Sequence, residues 1–143
     1  MKFIKIFCIN ILLLAALSAA GFGQDMLQIA FINELDGKSV ATYGDALRMF
    51  RFQVRTIEGS DSYLIKGYYD DLRLTKGMAS LMIARFLHLN KSLMYNIFRG
   101  ERYAYRACLA EKLFSRDGCE NDLMTGPELI ELFSRVNEFK RGR

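Results

Sequence analysis

The chain has 143 residues, a formal charge of +4 and a single histidine, and 51% of it is hydrophobic. That is about one domain's worth of chain, and its charge excludes a strongly basic nucleic-acid binder. Three cysteines and a lone His88 also lack the ligand spacing of a zinc site.

Met1-Lys-Phe-Ile-Lys5 leads into an apolar run from Ile6 to Ala20, broken only by Asn10 and Ser18. A positive start, an apolar run and small residues at its end have the form of a secretory signal peptide. The expected cleavage follows Ala20, with Gly23 as the alternative end. An exported protein in the periplasm or cell envelope is therefore expected. Lys2 and Lys5 leave with the signal, and the formal charge falls to about +2. No later run is long enough to span a membrane.

Residues 21–38 form an N-terminal segment. Met26–Ile32 suits a short strand or an apolar piece docked on the core. A single helical domain is expected over 39–140, with helices over 42–55, 76–88, 101–114 and 126–140. Thr42, Thr75 and Thr125 each stand where a side chain can cap a helix. Thr125 and Glu128 have capping-box spacing, and Pro127 suits a first turn. A short helix capped by Asn90 is expected to end at Phe98, before Gly100. Arg48, Arg51 and Arg55 read as a solvated face. Phe50, Met82, Phe86 and Phe133 are the expected centre of the core.

Laid on their threonines, the capped helices align Gly44, Gly77 and Pro127, then Met49, Met82 and Leu132, then Phe50, Ile83 and Phe133. Arg85 and Arg135 also match. The spacings of 33 and 50 residues are unequal, so the repeat is degenerate. This pattern resembles the S-layer homology family, most closely over Arg102–Phe114 followed by Leu123–Phe133. The resemblance implies a mainly α fold of helix-loop-helix repeats, and contact with anionic wall glycan at Lys76. The Thr-Arg-Ala-Glu signature of that family becomes Thr75-Lys-Gly-Met and Thr125-Gly-Pro-Glu here. No tryptophan is present, so only Tyr103 can take the place of the family's aromatic.

The candidate ligand contacts are Arg73, Lys76, Arg85 and Arg102, with Tyr68, Tyr69 and Tyr103 as stacking surfaces. The expected partner is an anionic cell-wall glycan or an envelope protein, and neither catalysis nor a cofactor is expected. One alternative is a small periplasmic hydrolase using Asp70, Asp71 or His88, which requires those groups to converge. Another is a calcium-responsive module, with Asp117, Asn121, Thr125 and Glu128 at loop ligand positions but no glycine at the sharp turn. Cys108 and Cys119 form a candidate disulfide, as suits an oxidising compartment.

Overall fold

The computed structural model describes residues 23, 26–54, 63–89, 92–115 and 118–142, without the side chains of 53 and 54. The expected signal segment, Arg55, the loop 58–62, Asn90 and Asp117 lie outside these residues. The described part is mainly helical and shows no strand beyond isolated bridges. No helix among the described residues is long and apolar enough to cross a membrane.

The chain divides into two compact units, Met1–Glu34 and Leu35–Arg143. Residues 26–36 are helical (α1), which rules out the short strand, one of the two readings of Met26–Ile32. Phe31 and Leu35, four apart, are its buried residues, whereas Met26, Leu27 and Ile29 are exposed. Asn33, midway between Phe31 and Leu35, is exposed, which breaks the every-second-residue burial of a strand and fits one face of a helix.

In the second unit the helices are α2 (Tyr43–Val54), α3 (Lys76–Phe86), α4 (Leu93–Phe98), α5 (Glu101–Ala110) and α6 (Gly126–Arg141). Three of them begin at the expected threonines. Thr75 accepts from the Met78 amide at 3.2 Å, and Thr125 forms a full capping box with Glu128. Thr42 makes a similar reciprocal pair with Asp45, at 3.2 and 3.0 Å. The short α4 is capped by Ser92 rather than Asn90. Helix α6 runs to Arg141, one residue past its expected end.

The residues just before the threonines meet in a closed ring of backbone hydrogen bonds. The Ala41 amide donates to the Met124 carbonyl at 2.8 Å, Met124 to Leu74 at 2.9 Å, and Leu74 back to Ala41 at 2.9 Å. All three residues are buried. The first-turn amides, which have no partner within their own helix, run round the three segments in the opposite sense. Tyr43 and Gly44 donate to Leu72 and Asp70, Lys76 and Gly77 to Asp122 and Glu120, and Gly126 to Lys38. Pro127 occupies the next position of the third set and has no amide to satisfy.

Helix α3 runs through the interior, with every residue from Gly77 to Ala84 buried. It packs against α5, where Ala104, Ala107 and Cys108 are small enough for close approach. Buried Ser80 is satisfied by its own helix, donating to the Lys76 carbonyl at 2.6 Å. Both α3 and α5 end in a left-handed residue, His88 at φ 49° and Lys112 at φ 59°. In each case the next amide reaches back to close the turn: Leu89 to Ala84 at 3.0 Å, and Leu113 to Cys108 at 2.9 Å. The turn at Lys112 stops α5 short of the expected Phe114.

An aromatic cluster fills the space between α2 and α6. Phe50 stacks on Tyr63 at 4.5 Å and meets Phe86 and Phe133 edge-on at 5.2 and 4.8 Å. Phe86 lies at the rim of this cluster, with the Lys140 ammonium 4.6 Å from its ring centre.

Asp45 is the buried acid of α2, 4% exposed, and its carboxylate meets Lys38 at 2.8 Å. Burial alone pushes its carboxyl up, but Lys38 and the Thr42 amide outweigh this and hold it below the usual value. A depressed folded value gives stability that is complete above the unfolded value near pH ~4 and is lost as pH falls through the folded one. Asp45→Asn is therefore expected to cost about 1–2 kcal/mol at neutral pH. In denaturant titrations, the gap to wild type should narrow as pH is lowered from ~5 to ~2. A gap independent of pH would contradict this account of Asp45.

Candidate functional site

A shallow pocket of about 100 Å³ opens beside the starts of α3 and α6. Leu113, Phe114, Met124 and Leu132 form its apolar lining, and Lys76, Ser115, Glu128, Glu131 and Arg135 its polar one. The volume suits a few waters or one small polar group.

Lys76 is the first residue of α3 and is fixed by both its backbone and its side chain. Its own amide is held by the Asp122 carbonyl, and its ammonium reaches Glu128 at 3.3 Å. The side chain is 13% exposed. The loop beneath must be narrow here: a Cβ on Gly118 would lie 3.0 Å from the Lys76 ammonium, and Gly118 has φ +115°. Glu128 carries a second duty, accepting from the Thr125 amide at 2.8 Å and hydroxyl at 3.1 Å. Burial raises its carboxyl, yet the Thr125 amide and Lys76 together hold it below its usual value. Across the pocket Arg135 pairs with Glu131 at 2.5 Å. The pocket thus presents two cations, each already held by a carboxylate.

Arg135 was not among the expected contacts, although its alignment with Arg85 was a signal. Tyr105 was missed as well. It meets Phe114, another pocket residue, edge-on at 5.4 Å. Its buried hydroxyl is without a hydrogen-bond partner among the described residues. An alternating apolar and polar helix such as α5 gives no sign of which tyrosine will turn inward.

The structure does not gather the other expected contacts at this pocket. Arg85 donates to the Leu64 carbonyl at 3.0 Å and so clamps the segment before α3. Tyr68 donates to Glu101 and meets Tyr43 edge-on at 5.5 Å. Burial, then Glu101, pushes the Tyr68 phenol up to about 12, so it remains a donor. Arg102 lies 3.8 Å from Glu120 and is well exposed. Glu101 and Glu120 both crowd Gly77, so Tyr68 and Arg102 belong to one neighbourhood at the start of α3. Tyr103 stacks on Phe98 at 4.9 Å. Tyr69 and Arg73 are exposed and line no part of the pocket.

No family model, curated protein or solved structure matches this chain.

The expected disulfide is not formed. Cys108 is buried on the α3-facing side of α5, its thiol directed at the Ser80 carbonyl at 3.7 Å. Burial pushes that thiol up to about 12, which keeps it protonated. Cys119 is exposed on the loop, where Asp122 accepts from both its amide and its thiol, at 2.8 and 3.1 Å. Each sulfur has its own local partner.

The residues of the two alternative chemistries are also dispersed. Asp70 and Asp71 lie on the approach to α3, and His88 follows its far end, with a helix of about 16 Å between. Of the calcium-loop positions, Thr125 and Glu128 bond each other and Asn121 is exposed. No group of three metal-ligating side chains occurs among the described residues.

Proposed function

We propose that this chain is a non-catalytic, exported module of the bacterial envelope that holds an anionic cell-wall glycan. In this reading Thr42, Thr75 and Thr125 mark three degenerate repeats of the S-layer homology type. The ring through Ala41, Leu74 and Met124 supports that reading, because equivalent positions of each copy bond to the next. The observation that carries the functional part is the position of Lys76. It is the first-turn residue to which the resemblance assigns glycan contact, and it lines the pocket together with Arg135.

The two cations suit an acidic substituent, and the carboxylates of Glu128 and Glu131 suit sugar hydroxyls. An incoming acid must compete with both carboxylates, so single-site affinity is modest and salt weakens it. Avidity across a polymer would compensate.

Retention on purified cell-wall glycan at low and moderate salt tests this reading. Wild type is expected to be retained at low salt and released by moderate salt. Lys76→Ala with Arg135→Ala should lose retention, while Arg51→Gln, an exposed α2 residue that does not line the pocket, should keep it. Equal retention of all variants would overturn the assignment of the pocket. Capture of a single envelope protein without glycan would replace the glycan by a protein partner.

A further inference from the structure

Helix α4 carries its apolar side outward. Leu93, Met94, Ile97 and Phe98 are 72%, 50%, 62% and 57% exposed, while Tyr95 is the residue turned inward. At 100° per residue the four exposed side chains occupy one continuous arc of about 140°. A solvent-facing helix ordinarily shows the reverse pattern. A contiguous exposed apolar patch marks an interaction surface.

The border of this arc is basic. Arg99 caps α4 directly after Phe98 and is exposed. Phe98 stacks on Tyr103, which ties the arc to α5. On either side of Tyr103, Arg102 and Arg106 share the exposed face of α5, one turn apart. The nearby acid Glu120 lies 3.8 Å from Arg102.

We infer that the α4 arc and its arginine border form a docking surface for an anionic phospholipid membrane. A convex arc of four apolar side chains is small beside the roughly 800 Å² per partner of a stable protein interface. A symmetric contact with a second copy would also bring Arg99, Arg102 and Arg106 toward the same residues of its partner, with like charges opposed. A lipid surface has neither objection. The apolar side chains enter the acyl boundary while the guanidiniums stay at the phosphates, and the two weak attractions act together. None of the four apolar side chains or the three arginines lines the pocket beside α3 and α6.

The chain contains no tryptophan, so one placed on α4 reports its surroundings without background. Full-length Ile97→Trp, at a largely exposed position, is mixed with vesicles of phosphatidylglycerol and phosphatidylcholine in equal parts. The expected result is a shift of emission to shorter wavelength and reduced acrylamide quenching. Pure phosphatidylcholine should give a much smaller shift. Arg99→Gln, Arg102→Gln and Arg106→Gln combined in the same background should abolish the response. Tyr69→Trp, at a residue 74% exposed, should not shift with either vesicle. Because the signal is local to α4, binding through another part of the chain does not produce it. Leu93→Trp provides the same readout should Ile97→Trp misfold by circular dichroism. No shift for either α4 variant, an equal shift with both lipids, or an equal shift of Tyr69→Trp would overturn the inference. A shift without vesicles that grows with protein concentration would also overturn it, in favour of a second copy.

Discussion

Gly126→Ala is expected to be the most damaging single substitution in the chain's helix starts. A Cβ at this position would lie 1.7 Å from the Leu35 carbonyl oxygen and 2.7 Å from its carbon. Both atoms are backbone, so no side-chain rotation relieves the clash. The Gly126 amide is at the same time fixed to the Lys38 carbonyl at 3.0 Å, and Lys38 is bonded back to Leu35. Either α6 must withdraw from the turn 35–38 or the turn must open, and each movement breaks these bonds. The cost should reach or exceed the top of the usual overpacking range of about 1–3 kcal/mol. Gly44→Ala and Gly77→Ala provide graded comparisons, since each added Cβ would stop 2.9 Å from a carbonyl oxygen. They should fall within that range of about 1–3 kcal/mol. Gly100→Ala, whose nearest neighbour is 3.9 Å away, should change stability by under about 1 kcal/mol. Denaturant midpoints would test the ranking. A Gly126→Ala protein as stable as Gly100→Ala would show that α6 does not begin against this turn.

Phe50→Ala should be the most costly truncation of the core, at about 3–5 kcal/mol. Its ring is 1% exposed and touches Tyr63, Phe86 and Phe133, which come from three other segments. Removing it takes away one stacked and two edge-on contacts and leaves a void that rigid neighbours cannot fill. Aromatic pairs add about 0.5–1.5 kcal/mol each beyond buried area. Phe98→Ala removes the same atoms from a residue 57% exposed and should cost about 1 kcal/mol or less. Chemical denaturation distinguishes them by the shift in midpoint at unchanged slope. Equal losses at the two positions would mean that the aromatic cluster is not the packing centre of the second unit.

The helix starts were the most legible part of the sequence. A threonine ahead of an apolar-faced run has a local physical meaning, reinforced by Asp45 after Thr42 and by Pro127 and Glu128 after Thr125, and all three threonines cap helices. The breadth of apolar residues in α3 likewise announced a helix buried nearly all round. What failed was non-local or ambiguous. Met26–Ile32 is apolar on too many positions for spacing to separate strand from helix. Cys108 and Cys119 are close in sequence, but α5 turns one thiol inward while the loop keeps the other at the surface. The ring through Ala41, Leu74 and Met124 left no mark on composition, because backbone amides carry no residue identity.

For the same reason, residue type reveals little about which cations face a ligand. Lys76 and Arg85 lie in the first and last turns of α3, but Arg85 clamps a carbonyl and Lys76 meets an acid at a pocket. Nothing in their immediate sequence divides those roles. Asp45 was legible only as a first-turn acid favoured by the helix dipole. Its pairing with Lys38 depends on the turn that also receives Gly126.

The central structural claim is that three threonine-capped helices are joined at their starts by one closed ring of backbone bonds. Native-state amide hydrogen exchange at Ala41, Leu74 and Met124 tests it most directly. If each amide is held by the next segment, all three open only when the second unit unfolds, and they share one high free energy of exchange. Thr75→Ala, which weakens one cap by about 1 kcal/mol, should then lower all three together. Fast exchange of any one of the three in the native protein, or a loss confined to Leu74 in Thr75→Ala, would contradict the ring.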